Sequence, residues 1–130
     1  MTITQVSTQF GLSPDTLRYY ERIGLIPPVK RNKSGIREYD ESACGWVEFI
    51  KCMRGVGIPV EVLIEYVALC QQGDSTHEAR KEILKEQRAQ LANKIKKMQQ
   101  TLERLDFKIA SYENTVLKRE RELNRMEDEK

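Results

Sequence analysis

The chain has 130 residues, a net charge of +2 and 32% charged residues. That length holds one compact domain with an extension and excludes a pair of full enzyme domains. No apolar run approaches a membrane span, and Met1-Thr2-Ile3-Thr4-Gln5-Val6 lacks the basic and apolar regions of a signal peptide, so a cytoplasmic protein without membrane contact is expected.

Thr2 or Thr4 can cap a first short helix running to Phe10, with Ile3, Val6 and Phe10 as its apolar positions and Gly11 as its stop. Ser13-Pro14-Asp15-Thr16 starts a second helix: Ser13 caps, Pro14 suits the first helical position, and Asp15 sits at the positive end of the dipole. Gly24 closes this helix, and Pro27-Pro28 forbid its continuation. Two short helices joined by a Gly-containing turn make a helix-turn-helix.

On a wheel of about 100° per residue, Leu17, Tyr20 and Gly24 share one side of the second helix with Ser13. Asp15, Arg18, Tyr19 and Arg22 take the other. Tyr20 is therefore expected to pack inward with its hydroxyl at the rim, and Tyr19 to project outward between two arginines. Between Thr16 and Tyr39 the bases Arg18, Arg22, Lys30, Arg31, Lys33 and Arg37 face only Glu21 and Glu38. Such a local basic cluster marks a binding face on a near-neutral chain. Arginine brings charge-assisted bonds and tyrosine a hydroxyl and a flat apolar body, a combination suited to a phosphate-lined groove. The competing reading is that Arg18 and Arg22 solvate an exposed face with Glu21 as salt partner. The helix-turn before them and the basic segment after them favour DNA.

Val29 to Tyr39 has no helical period, and Asn32-Lys33-Ser34-Gly35 is a turn signal, so a small hairpin wing is expected there. Asp40 caps a third helix through about Arg54, with Trp46, Phe49, Ile50 and Met53 as its apolar stripe, and Gly55 and Gly57 break it. Pro59 opens a fourth helix whose Val60, Leu63, Ile64 and Val67 lie on one face. Gln72-Gly73-Asp74 interrupts again, and Ser75-Thr76-His77-Glu78 fits a capping box.

The helix that follows contains neither Gly nor Pro after Asp74. Leu91, Ile95, Met98, Leu102, Leu105, Ile109, Tyr112 and Val116 alternate in steps of four and three, the heptad seam of a coiled coil. A single narrow seam cannot bury itself, and the chain holds no other long helix. A second copy is the expected partner. The fold class is thus all-α, with a winged helix-turn-helix and linker helices over 1–71 and a coiled-coil dimerisation helix over 75–127.

"TLRYYERIGLIPP", "RNKSGIREYD" and "FIKCMRGVGIPVEVL", in that order and followed by a long helix, resemble the MerR family of bacterial transcription regulators. The likeness covers Met1 to about Leu69. It implies a winged helix-turn-helix, an antiparallel coiled-coil homodimer, and binding to double-stranded promoter DNA whose −35 and −10 elements lie too far apart. The family's activated dimer bends and untwists that DNA so that RNA polymerase engages both elements. By this resemblance Arg18, Tyr19 and Tyr20 match recognition-helix contacts and Arg37 matches the wing arginine. Thr16, Arg22 and Lys33 join them on geometry.

Metal-sensing members place cysteines at the start of the long helix and in a loop after it, whereas this sequence has none after Cys70 and only His77 near that start. An iron–sulfur cluster would need a group of cysteines, and a cysteine nucleophile would need a histidine base in reach. Neither pattern occurs, nor does the large C-terminal drug-binding domain of other members. Neither a metal, a cofactor nor an enzyme activity is expected.

The three cysteines, odd in number and without C-x-x-C spacing, read as reduced thiols. On the third-helix wheel Cys44 falls on the outer side, and Cys52 at the flank of the apolar stripe between Lys51 and Arg54, half-buried. Cys70 falls with Leu63 and Val67 as core. Neighbouring cations favour a reactive thiolate, which selects Cys52 as the sensor. Cys52 also matches the cysteine of the family's thiol- and aldehyde-stress branch, the NmlR- and AdhR-like regulators. The resulting reading is a regulator that distorts an overlong promoter spacer when an electrophile or oxidant modifies Cys52. Two rivals stand beside it: a regulator responding to a non-covalent small apolar ligand, and a coiled-coil interaction protein without specific DNA binding.

Overall fold

The computed structural model describes residues 1–128. These form two compact units, Met1–Arg88 and the chain from Ala89 onward.

In the first unit the short helices start and stop where local chemistry dictates. α1, Ile3–Phe10, is held by a full capping box: the Thr2 hydroxyl accepts the Gln5 N–H, and the Gln5 side chain accepts the Thr2 N–H. α2, Pro14–Arg22, is capped by Ser13, whose hydroxyl accepts from Thr16 N at 3.1 Å. It ends on Gly24 at φ 83°, a conformation that favours glycine, with Leu25 N donating to Tyr20 O at 2.9 Å. α3, Glu41–Gly55, is capped by Asp40, and α4, Val60–Gln71, follows Pro59.

Val6, Leu17, Tyr20, Val47, Ile50, Leu63 and Val67 interlock from the four helices into one core. The segment between α2 and α3 supplies Leu25, Ile26, Val29 and Tyr39 to the same core. Each fully buried side chain of this size is worth about 1.5–3 kcal/mol relative to exposure. The inner line of α3 runs through Val47 and Ile50, while Trp46, Phe49 and Met53 pack at its margin. It thus lies closer to Cys44 than the expected Trp46–Phe49–Ile50–Met53 stripe.

The expected wing is present in reduced form. Arg31 and Arg37 make a single antiparallel bridge, Glu38 N donates to Lys30 O at 2.7 Å, and Asn32 N donates to Ile36 O at 2.9 Å. Asn32 Oδ1 closes the tip by accepting from Ser34 N and Ile36 N. Outside that bridge the described residues contain no β-pairing, so the fold is all-helical.

The long helix α5, His77–Asp128, is preceded by a 3₁₀ turn, Asp74–Thr76, and not by the expected capping box. The Thr76 hydroxyl instead donates back to Leu69 O at 2.6 Å and Gly73 O at 2.8 Å, tying the junction to the end of α4. In the second unit the seam from Ile95 to Val116 is 40% to 70% exposed, and Leu91 is half-buried. No helix among the described residues is long and apolar enough to cross a membrane.

Candidate nucleic-acid interface

The outer face of α2 carries the side chains that the wheel placed there. Tyr19 is 42% exposed, whereas Tyr20 is 8% exposed and lies in the core. Burial pushes the Tyr20 hydroxyl above its ordinary value, with Arg54 pulling the other way. Of the residues assigned to the face by resemblance, Tyr20 is therefore the one that supports it from beneath. The Arg22 guanidinium lies 5.5 Å from the Tyr19 ring centroid, which stiffens both side chains in an outward pose. Arg18 pairs with Asp15 at 3.0 Å, one turn back, and both remain exposed. The Thr16 and Ser13 hydroxyls are 2.8 Å apart, so Thr16 belongs to the cap of α2 as well as to its outward edge. Lys33 is exposed on the turn of the wing.

Glu21 is not the salt partner of Arg18 or Arg22. Its Oε1 accepts from Arg37 Nε at 2.7 Å and its Oε2 from Val29 N at 2.8 Å. Burial alone would raise this carboxyl. The Arg37 and Val29 bonds, with the charges of Arg37 and Arg31, outweigh burial and hold it below its ordinary value. The arrangement fastens the wing to α2, and Arg37 faces Glu21 with its side chain only 24% exposed. Sequence reasoning missed this link because the two residues are sixteen positions apart. The one available signal was a lone acid between the inward Tyr20 and the outward Arg22.

The paired outward arginines and the tyrosine of α2 stand beside a basic wing, and such groups can bond phosphate oxygens lining a groove. Residues 1–69 match the family described as "MerR HTH family regulatory protein", and residues 45–106 match "MerR, DNA binding". The chain belongs to the MerR family. It is 62% identical over 91 residues to the HTH-type transcriptional regulator AdhR of Bacillus subtilis, a match covering 70% of this chain and 65% of that protein. A structure described as a MerR family transcriptional regulator from Listeria monocytogenes superposes with a TM-score of 0.90 at 46% identity, covering 99% of this chain and 98% of that one. HiNmlR, described as a MerR family regulator lacking the sensor domain and bound to promoter DNA, gives a TM-score of 0.79 at 26% identity, covering 87% and 90%.

All three cysteines of this MerR-family chain sit differently from expectation. Cys44 is half-buried and packed on the core, with Sγ 3.8 Å from Met1 Sδ, and does not lie on the outer side. It lies three residues before Val47, on the line that α3 turns inward. Cys52 is exposed, not half-buried. Both of its cationic neighbours are committed elsewhere: Lys51 Nζ donates to Phe10 O, and Arg54 Nη1 donates to Ile58 O at 2.7 Å. Cys70 is half-buried and not part of the core expected for it, with Arg80 Nη1 3.8 Å from its Sγ. Burial and this thiol beside it raise the Tyr66 hydroxyl above its ordinary value. Between α3 and α4 an open cavity of about 250 Å³ is lined by Ser42, Gly45, Trp46, Phe49 and Tyr66. Among the described residues no group of His, Cys, Asp and Glu could hold a metal ion.

Proposed function

We propose that the chain binds double-stranded promoter DNA as an antiparallel homodimer and regulates transcription by distorting an overlong spacer, so that RNA polymerase engages both promoter elements. The observation that carries this reading is the outward set Arg18, Tyr19 and Arg22 beside the wing. Thr16, Lys33 and Arg37 complete the contacts, with Tyr20 packed behind them. The seam from half-buried Leu91 through exposed Ile95, Met98, Leu102, Leu105, Ile109 and Tyr112 to Val116 supplies the dimer. Two heads held at fixed separation match two half-sites, and their separation is what distortion would change. Affinity selection from a random-sequence duplex pool tests the DNA reading. An enriched, spaced inverted repeat bound with steep salt dependence supports it, and binding indifferent to sequence returns the chain to a coiled-coil interaction protein.

The proposed sensor is Cys52. Its exposure leaves the thiol open to reagents, and its place near the end of α3 couples any adduct to the turn that leads into α4. Addition to an aldehyde-derived or quinone-type electrophile forms one C–S bond, and the thiol proton passes to the adduct. The added bulk need shift the balance between two dimer states by only about a few kcal/mol. A second reading, a non-covalent small apolar ligand, is favoured by the aromatic cavity of Trp46, Phe49 and Tyr66. Promoter output from a Cys52→Ser protein under electrophile challenge separates the two: loss of response supports the thiol, and a full response moves the sensing to the cavity.

A further inference from the structure

We propose that Glu21 is a positioning residue that sets the wing against the recognition helix α2, and thereby sets sequence selectivity. The inference rests on the DNA reading above. Its ground is the use of both carboxylate oxygens by the two limbs of one hairpin. Oε2 takes the N–H of Val29 on the outgoing limb, and Oε1 takes Nε of Arg37 on the returning limb. Arg37 is itself bridged across the hairpin to Arg31, and Asn32 Oδ1 closes the tip, so the wing is internally braced, its base is buried through Val29 and Tyr39, and both its limbs bond to one polar side chain of α2.

The pair differs in kind from its neighbours. Arg18–Asp15, Lys30–Asp40 and Lys85–Glu82 have side chains 41% to 96% exposed, where ion pairs fix little. Glu21 and Arg37 are 14% and 24% exposed, and removing either charge strands the other in a half-buried site. Arg37 Nε is already spent on Glu21, which fixes the plane of the guanidinium and the direction of its remaining N–H groups.

The sign of one effect separates positioning from plain charge. An acid on a DNA-facing helix repels phosphate, so deleting it for charge alone should strengthen binding to every duplex. If Glu21 positions the wing, its loss instead weakens binding to the preferred duplex while leaving binding to unrelated DNA unchanged or stronger.

The test uses the full chain, the duplex enriched by the wild-type protein from a random pool, and a shuffled duplex of the same composition. Glu21→Gln is expected to lower the selected-over-shuffled ratio about tenfold, comparable with losing discrimination at one base pair, and to leave the salt slope undiminished. Arg37→Lys keeps a cation for phosphate but loses the Nε bond, and it is expected to lose the same selectivity. The double variant is expected to match the worse single variant, because the two residues act as one unit. Retention of the ratio by Glu21→Gln, or losses that multiply in the double variant, would overturn the inference. If Glu21→Gln does not fold, Arg37→Lys alone decides: retained selectivity overturns it. A wild-type chain that enriches no sequence overturns the DNA reading and this inference together.

Discussion

The two units of this chain handle apolar side chains in opposite ways. In Met1–Arg88 the apolar residues of four short helices and a loop converge, and Val6, Leu17, Val47 and Ile50 are fully buried. Beyond Ala89, in a single helix, Met98 is 64% and Tyr112 70% exposed. Both regions have regular apolar patterns, but only the first contains enough elements to close around its own. The first unit closes around its own core, and the helix leaves its seam open, as the proposed dimer requires. Function in this reading needs both: a head to touch DNA and a helix to hold two heads apart.

The largest expected effect breaks the helical half of that contrast. Leu102→Lys combined with Leu105→Lys places charge in the seam, so sedimentation should find monomers at micromolar concentration and DNA affinity should collapse with the lost pairing of heads. A double variant that stays dimeric removes the seam from the account. On the other side, Leu17→Ala should cost about 2–5 kcal/mol in chemical unfolding, by the same amount at every protein concentration. Instability of the seam variant should depend on concentration, as expected for an associating system.

Finer effects sharpen the contrast within the head. Tyr20→Ala should lose about 2–4 kcal/mol, whereas Tyr19→Ala should unfold like wild type yet bind the selected duplex less well. Equal stability of the two would mean that their faces are exchanged. Glu21 gives a pH signature. Because its carboxyl titrates below the ordinary value in the folded state, its stabilisation is complete above that value and is lost as pH falls through the folded one. The stability gap between wild type and Glu21→Gln should therefore be constant above the ordinary carboxylate range and narrow as pH falls below it. The smallest structural effect belongs to exposed Cys52: Cys52→Ser should match wild type in melting and in DNA binding, whereas half-buried Cys70→Ser should melt lower.

What the sequence disclosed follows from how local the determining forces are. Thr2, Ser13 and Asp40 cap their own helices within three residues, and Gly11 and Gly24 end theirs by adopting positive φ, so these boundaries are written beside the residues they govern. The outward Arg18, Tyr19 and Arg22 follow from helical period alone. Contacts across the chain were not legible. Leu25, Ile26, Val29 and Tyr39 enter the core from a segment without period, and their burial depends on how the four helices come together around them. On the wheel the bulky Trp46 and Phe49 draw the stripe away from Val47, which puts Cys44 outside, whereas the fold turns Val47 inward. Lys51 and Arg54 flank Cys52 in sequence, but the fold spends these two cations on Phe10 O and Ile58 O. Ser75-Thr76-His77-Glu78 has the spacing of a capping box, yet Thr76 satisfies the end of α4 instead. In each case the fold offered a partner that helical period and cap spacing do not indicate.

Amide hydrogen exchange followed across dilution tests the division between self-sufficient head and dependent helix most directly. As the protein is diluted from micromolar to nanomolar concentration, amides beyond Ala89 should lose protection steeply while those of α1 to α4 keep theirs. Protection of the long helix that is indifferent to dilution would contradict the account, as would a head that loses protection together with it.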